Sequence, residues 1–153
     1  MALNMTPKKT GLTLRRYLSC LAIFVSSQLF AADHCDQTQL YSYMTGIKTE
    51  LKSLTFEVKT ERFTEAQSRV DKIITLLNRS AKETPFLFLE HSLQGEQLQK
   101  KQMAYKGAIN KTIDLFTELN LAIKTQDIDK IKPIMAKIGQ ARKSGHRQFK
   151  ARC

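Results

Sequence analysis

Two side chains near opposite ends of the sequence could together bind a metal centre. Met44 carries a thioether sulfur and His146 an imidazole nitrogen, and each lies in a stretch whose apolar residues recur at helical spacing. A thioether and an imidazole that face each other across a helical core are suitable axial ligands for a haem iron. Each residue also has an ordinary interpretation, because a methionine on an apolar stripe usually packs in a core and a histidine near a helix C-terminus usually lies at the surface. The hypothesis therefore depends on whether folding brings the two together.

Four amphipathic stretches account for nearly all of the sequence after residue 31, and they must position this pair. Their apolar stripes are Leu40, Met44, Ile47, Leu51, Leu54 and Val58; Phe63, Ala66, Val70, Ile73 and Leu77; Leu98, Gln102, Tyr105, Ile109, Thr112, Phe116, Leu119 and Ile123; and Ile128, Ile131, Met135 and Ile138, continued by Arg142, Gly145 and Phe149. Steps of three and four residues without strand-like alternation predict an all-α protein, an antiparallel up-down-up-down four-helix bundle.

The breaks between the stretches predict the connections. Thr84-Pro85 is expected to end the second helix, because proline disfavours helical geometry in the residue before it. The apolar run in the connection 86–95 is expected to cap one end of the core. Asp127 is a predicted N-cap of the fourth helix. Pro133 predicts either a kink in that helix or a helix that begins only at Lys132.

Short connections require consecutive helices to run antiparallel, so the start of the first helix lies beside the end of the fourth. Met44 is about two turns into the first helix, and His146 is about two turns before the end of the fourth. The topology therefore predicts that both residues lie at similar depth at the same end of the bundle.

Residues 1–31 are expected to be removed from the functional chain. They contain four basic and no acidic residues, and the apolar run 17–30 is too short for a convincing membrane span. This pattern predicts a signal peptide cleaved after Ala31, export to a bacterial periplasm and a single domain over 32–153. Loss of four of the 25 basic residues leaves 21 against 14 acidic ones, a net charge of +7 that favours acidic proteins or anionic surfaces as partners.

Two cysteines, Cys35 and Cys153, remain in the predicted mature chain. An even number of cysteines in an oxidising compartment favours a disulfide, and both lie beyond Met44 and His146 toward the same end of the bundle. Unpaired thiols, or a zinc or copper site that includes His34, are the alternatives. No Cys-x-x-Cys sequence occurs, which excludes covalent c-type haem attachment before His146.

Several segments, taken in order, follow the pattern of one known family. They are the Phe30-Ala-Ala-Asp33 junction, Met44-Thr-Gly-Ile-Lys-Thr-Glu-Leu-Lys52, Lys82-Glu-Thr-Pro85 with Leu89-Glu90, and Arg142-Lys-Ser-Gly-His146. In this order and spacing the sequence resembles the soluble periplasmic cytochromes b562, which are four-helix bundles. The resemblance covers essentially the whole predicted mature chain.

The resemblance implies a b-type haem held without covalent bonds, with Met44 and His146 as the axial ligands. It also implies that Arg142, one turn from His146 on the same face, flanks the edge of the macrocycle, and that Tyr105 packs beside it. The chain departs from the family pattern in its basic charge, its two cysteines, a proline inside the fourth helix and Gly145 in place of a bulky residue.

The expected function is electron transfer, because two protein ligands leave the iron no open coordination position. We expect redox partner proteins, acidic ones in view of the charge, with no nucleic-acid partner, no stable membrane insertion and a monomeric state. No nucleophile triad, carboxylate pair or glycine-rich phosphate loop is visible, so no enzymatic activity is predicted. The alternatives are a haem-free periplasmic helical module that binds proteins or anionic surfaces, and a haem carrier or sensor that releases its cofactor.

Overall fold

The computed structural model describes residues 35–152, which form helices and connecting turns. A 3-10 turn at Cys35–Gln37 precedes α1 (Gln39–Lys59), α2 (Phe63–Ser80), α3 (Phe86–Glu90), α4 (Gly95–Lys124) and α5 (Ile128–Phe149). The predicted all-α class is confirmed, and the predicted signal peptide lies outside the described residues. None of the described helices has an apolar stretch long enough to cross a membrane.

Helices α1 and α2 pack with the register of antiparallel neighbours. Near the start of α1 a Cβ added at Gly46 would lie 3.1 Å from Leu76 Cδ1, late in α2. Near the end of α1 the Glu57 carboxylate accepts a hydrogen bond from Arg69 Nε at 3.1 Å, early in α2. Contacts that move along α1 therefore move backwards along α2, as the short connection between them requires.

The remaining long helices continue this alternation. Asn120 Nδ2 donates to Asp71 Oδ1 at 3.2 Å, whereas Tyr105, earlier in α4, donates its hydroxyl hydrogen to the carbonyl of Ser80, later in α2, at 2.9 Å. The Tyr105 ring in turn contacts the ring of Phe149 at the end of α5, with 5.5 Å between centroids. The start of α4 therefore lies beside the ends of both α2 and α5.

The core is closed on three of its four sides. Close packing joins α1 to α2, α2 to α4 and α4 to α5, whereas α1 and α5, both described in full, make almost no close backbone contact. The apolar stripes of α2 and α4 are largely buried, but Leu54 alone is fully buried on the predicted stripe of α1. The other apolar residues of that stripe are half-buried, because no helix presses on the side of α1 that faces α5. We call this open side the α1–α5 seam.

The second helix is shorter than the sequence predicted. It ends at Ser80, about one turn before Thr84, so that prediction was wrong. The chain tightens beyond Ser80, whose carbonyl accepts the amide hydrogen of Glu83 at 3.1 Å as well as the Tyr105 hydroxyl. A tertiary hydrogen bond and a 3-10 turn thus end the helix before the proline does.

The connection between α2 and α4 contains the short helix α3, which the sequence did not predict. Its residue Phe88 is 2 % exposed, and the ring meets that of Phe149 edge-on with 6.2 Å between centroids. The prediction that this apolar run caps one end of the core is confirmed.

The start of α5 agrees only in part with the prediction. The Asp127 side chain accepts the amide hydrogen of Lys130 at 3.1 Å, so the predicted N-cap is confirmed. The helix begins at Ile128 and continues through Pro133. The alternative that it begins at Lys132 is therefore wrong.

Candidate functional site

Met44 lies in the first half of α1, on the side of that helix that faces α5. At the far end of α1, Thr55 and Val58 line a groove between the two helices. They follow Met44 by about three and about four turns, so the three side chains share one face of the helix. Met44 is half-buried and packs against the edge of the core.

His146 lies in the last turn of α5, nearer to the helix end than the two turns that the sequence predicted, and on the side that faces α1. Ile128, Lys132 and Met135 line the same groove of about 430 Å³ from the α5 side. They precede His146 by about five, four and three turns, which puts all four residues on one helix face. His146 is exposed, unlike the core residues of α5. Met44 and His146 therefore both lie along the α1–α5 seam.

Contacts around the bundle fix the depth of the two residues. Gly46, near the start of α1, lies close to Leu76 near the end of α2, and Tyr105 joins the end of α2 to the end of α5. Met44 is two residues from Gly46, and His146 is three residues from Phe149. The two residues consequently lie at the same end of the seam, as the topology predicted.

Tyr105 supports the part of α5 that carries His146. It is 3 % exposed, and its ring meets Phe149 edge-on at an interplanar angle of 75°. Burial, reinforced by the Glu83 carboxylate, raises the pKa of the Tyr105 hydroxyl, so this group remains a hydrogen-bond donor. The predicted contact of Tyr105 with a cofactor stays a prediction.

Positive charge surrounds His146. Arg142 and Lys150 lie one turn before and one turn after it, and both are exposed. Partial desolvation, followed by the charges of Arg142 and Lys150, lowers the pKa of His146. The neutral imidazole, which is the form that binds a metal, is thereby favoured. Within the described chain Arg142 forms no ion pair, so its guanidinium is free to meet an anionic group.

The side chains along the seam have the chemistry to meet an apolar macrocycle with an iron at its centre. Met44, Ile47 and Leu51 present half-buried apolar surface along α1. On α5 a Cβ added at Gly145 would meet nothing within 4 Å, so the backbone beside His146 is accessible. Sulfur and imidazole form a donor set that suits haem iron. The residues of this chain therefore fit a haem.

The cysteines are only partly described. Cys35 is 6 % exposed and disulfide-bonded. The sequence holds two further cysteines, Cys20 and Cys153, and both lie outside the described residues. The pairing of Cys35 with Cys153 therefore stays a prediction, as does any metal site that includes His34, which also lies outside.

The sequence does not predict the aromatic support of the site. Phe149 was placed on the stripe of the fourth helix, but its contacts with Tyr105 and Phe88 were not expected. The one available signal was an aromatic residue about one turn after His146 on an apolar stripe.

The sequence model of the cytochrome b562 family matches residues 39–150. This match extends from the first residue of α1 to the residue after α5 and includes both Met44 and His146. No curated protein and no solved structure matches the chain.

Proposed function

Since the chain belongs to the cytochrome b562 family, we propose that it is an electron-transfer protein that carries one haem b without covalent attachment. Met44 and His146 supply the two axial ligands. A haem bound in this way supplies a single-electron couple, since the iron has no open coordination position. The chain acts in the periplasm as a monomer, after removal of residues 1–31, and exchanges electrons with protein partners.

The observation that carries this proposal is the α1–α5 seam. Three interfaces between the long helices are closely packed, and the fourth leaves apolar side chains of α1 half-buried. A thioether and an imidazole lie along that side at the same end of the bundle. Burying the remaining apolar surface against a macrocycle would contribute about 25 cal/mol for each Å² removed from water.

The other residues of the site hold the ligands and meet the cofactor's charge. Tyr105 and Phe149 fix the last turns of α5, so His146 needs little rearrangement when the oxidation state changes. Arg142, exposed beside the seam, is placed to pair with the anionic edge groups of a haem. The apolar residues Ile47 and Leu51 keep water from the macrocycle, which favours a stable couple.

A disulfide between Cys35 and Cys153 is part of this proposal. It is supported by the burial and the disulfide bonding of Cys35, just before α1. Such a bond ties the start of α1 to the tail that follows α5, next to the proposed ligands. Closing a loop of this length contributes on the order of 4–5 kcal/mol to stability in the chain-entropy model.

The absorption spectrum of the reduced protein tests the assignment of ligands. Protein isolated with an adequate haem supply is expected to show sharp low-spin bands, and Met44→Ala and His146→Ala are each expected to lose them. Met135→Ala is the matched control for the methionine, since Met135 is half-buried on the seam face of α5. His91→Ala, at an exposed position, is the control for the histidine.

Two results would contradict the proposal. A colourless protein that takes up no added haemin would favour a haem-free binding module. A Met44→Ala/His146→Ala double variant that keeps the low-spin bands would show that other residues bind the iron.

A further inference from the structure

The net charge of the described chain lies entirely at one end of the bundle. The site half consists of residues 35–49, 72–109 and 139–152, and it contains Met44 and His146. It holds twelve lysines and arginines and four acidic residues, a net charge of +8. The far half, residues 50–71 and 110–138, holds nine basic and nine acidic residues and is neutral.

The charges of the site half are also free to act on a partner. All twelve of its basic side chains are exposed: Lys48, Lys72, Arg79, Lys82, Lys100, Lys101, Lys106, Arg142, Lys143, Arg147, Lys150 and Arg152. In the far half, by contrast, ion pairs neutralise part of the charge, as at Arg69 with Glu50 and Glu57. Every side-chain ion pair between described residues lies in the far half.

The seam opens within this basic surface. Arg142, Lys143, Arg147 and Lys150 all lie within about one turn of His146 on α5. Exposed charges act over about 8 Å at physiological ionic strength, so an acidic surface is attracted to the place where the imidazole lies. Attraction of this kind raises the association rate and orients the partner more than it raises affinity.

We propose that the site half is the docking surface for an acidic electron-transfer protein. This inference rests on the proposed function, because an electron leaving at this surface needs an acceptor there. The same charge would attract an anionic lipid surface, which is the competing outcome of the test. The neutral far half takes no part in docking.

Two triple variants with equal changes in net charge test the proposal. The site-half variant is Lys101→Glu, Lys106→Glu and Lys143→Glu; the far-half control is Lys111→Glu, Lys124→Glu and Lys137→Glu. Each set has two exposed lysines on α4 and one on α5, and none of the six forms an ion pair with a described residue. The probe is an acidic plastocyanin, and its binding to the full mature chain is followed by amide chemical shifts at low salt.

The expected result is position-dependent. The site-half variant should weaken association by about tenfold or more, and the far-half control by less than about threefold. Equal loss in both variants, or no loss in either, would overturn the proposal. So would tighter binding of the unmodified chain to phosphatidylglycerol vesicles than to plastocyanin. Docking is read from amide shifts and haem binding from absorption, so failure of the docking surface is distinguishable from failure of the proposed function.

Discussion

Replacing Tyr105 by phenylalanine is expected to lower the free energy of unfolding by about 1 kcal/mol, the typical net contribution of one buried hydrogen bond. The structure gives no reason to expect a larger loss of stability. The carbonyl of Ser80 loses the Tyr105 hydroxyl at 2.9 Å but keeps the amide hydrogen of Glu83 at 3.1 Å, so it is not left without a partner. The aromatic ring, and with it the contact to Phe149, is retained.

Leucine at position 105 is expected to lower the free energy of unfolding by about 2–3 kcal/mol, because the edge-on contact with Phe149 contributes roughly another 0.5–1.5 kcal/mol and ring volume is lost as well. Urea unfolding followed by circular dichroism measures both changes. Haem-loaded Tyr105→Phe should keep its low-spin spectrum, since the hydroxyl is engaged with Ser80, whereas Tyr105→Leu should bind haem more weakly because the last turns of α5 are less well held.

The pH dependence gives a second check on Tyr105. Burial raises the pKa of Tyr105 in the folded protein above its value in the unfolded chain. The contribution of its hydroxyl to the free energy of unfolding is therefore fully present below about pH 10 and is lost as the pH rises further. The difference in the free energy of unfolding between the wild type and Tyr105→Phe should therefore be constant near neutral pH and should become smaller above about pH 10. Tyr41→Phe, at a tyrosine 44 % exposed, is the control and should change stability by less than about 0.5 kcal/mol. Equal effects of the two substitutions would refute the reasoning.

Three further substitutions are expected to change stability in a stated direction, all measurable by thermal or urea unfolding. Gly145→Ala should stabilise the protein by roughly 0.5–1 kcal/mol, because alanine favours the helix and an added Cβ meets nothing within 4 Å. Asp127→Ala should lower Tm near neutral pH by removing the N-cap of α5. Hydrogen bonding to Lys130 lowers the pKa of Asp127 in the folded protein. The contribution of this carboxylate to stability is therefore present above its pKa in the unfolded chain, and it is lost as the pH falls through its pKa in the folded protein. Pro133→Ala should stabilise by about 1–3 kcal/mol, because it returns an amide hydrogen that can bond to the carbonyl of Asp129.

Each of these expectations has its own contrary result. A loss of stability in Gly145→Ala would show that the backbone of α5 is not as open as its surroundings indicate; Gly46→Ala, facing Leu76 at 3.1 Å, is the crowded comparison. A Tm difference for Asp127→Ala that persists in acid would mean that the carboxylate charge is unimportant. If Pro133→Ala left the stability of the protein unchanged, α5 would already be adapted to the proline.

The sequence predicted the helical pattern well because burial of one face follows the helical repeat. The stripes of α2 and α4 are buried at nine of their thirteen predicted positions, and the other four are half-buried. Asp127 caps α5 as expected. Periodicity could not show whether the stripe of α1 is covered, since Ile47 and Leu51 have the same pattern whether they face a helix or an open seam. Periodicity also predicted Met135 as a core residue of α5. In the structure the neighbouring Ile134 is the buried one, at 3 % exposure, because the rotation of a helix about its axis depends on the helices that pack against it.

The position of the candidate site was predictable from topology, and its support was not. Short connections are enough to place Met44 and His146 at one end of the chain's fold. The contact of Tyr105 with Phe149, and the early end of α2 at Ser80, depend on which side chains meet across three helices. No local pattern contains that information, and a proline at position 85 pointed to a later helix end.

The α1–α5 seam divides the molecule into two hairpins, α1–α2 and α4–α5, that are joined through α2 and α4. Separating the outer helices therefore breaks few contacts, and the remaining interfaces hold the hairpins together meanwhile. Loading of the cofactor is expected to follow this local opening and to proceed much faster than global unfolding. On the function proposed above, export, disulfide formation and folding of the chain can then be complete before the haem binds.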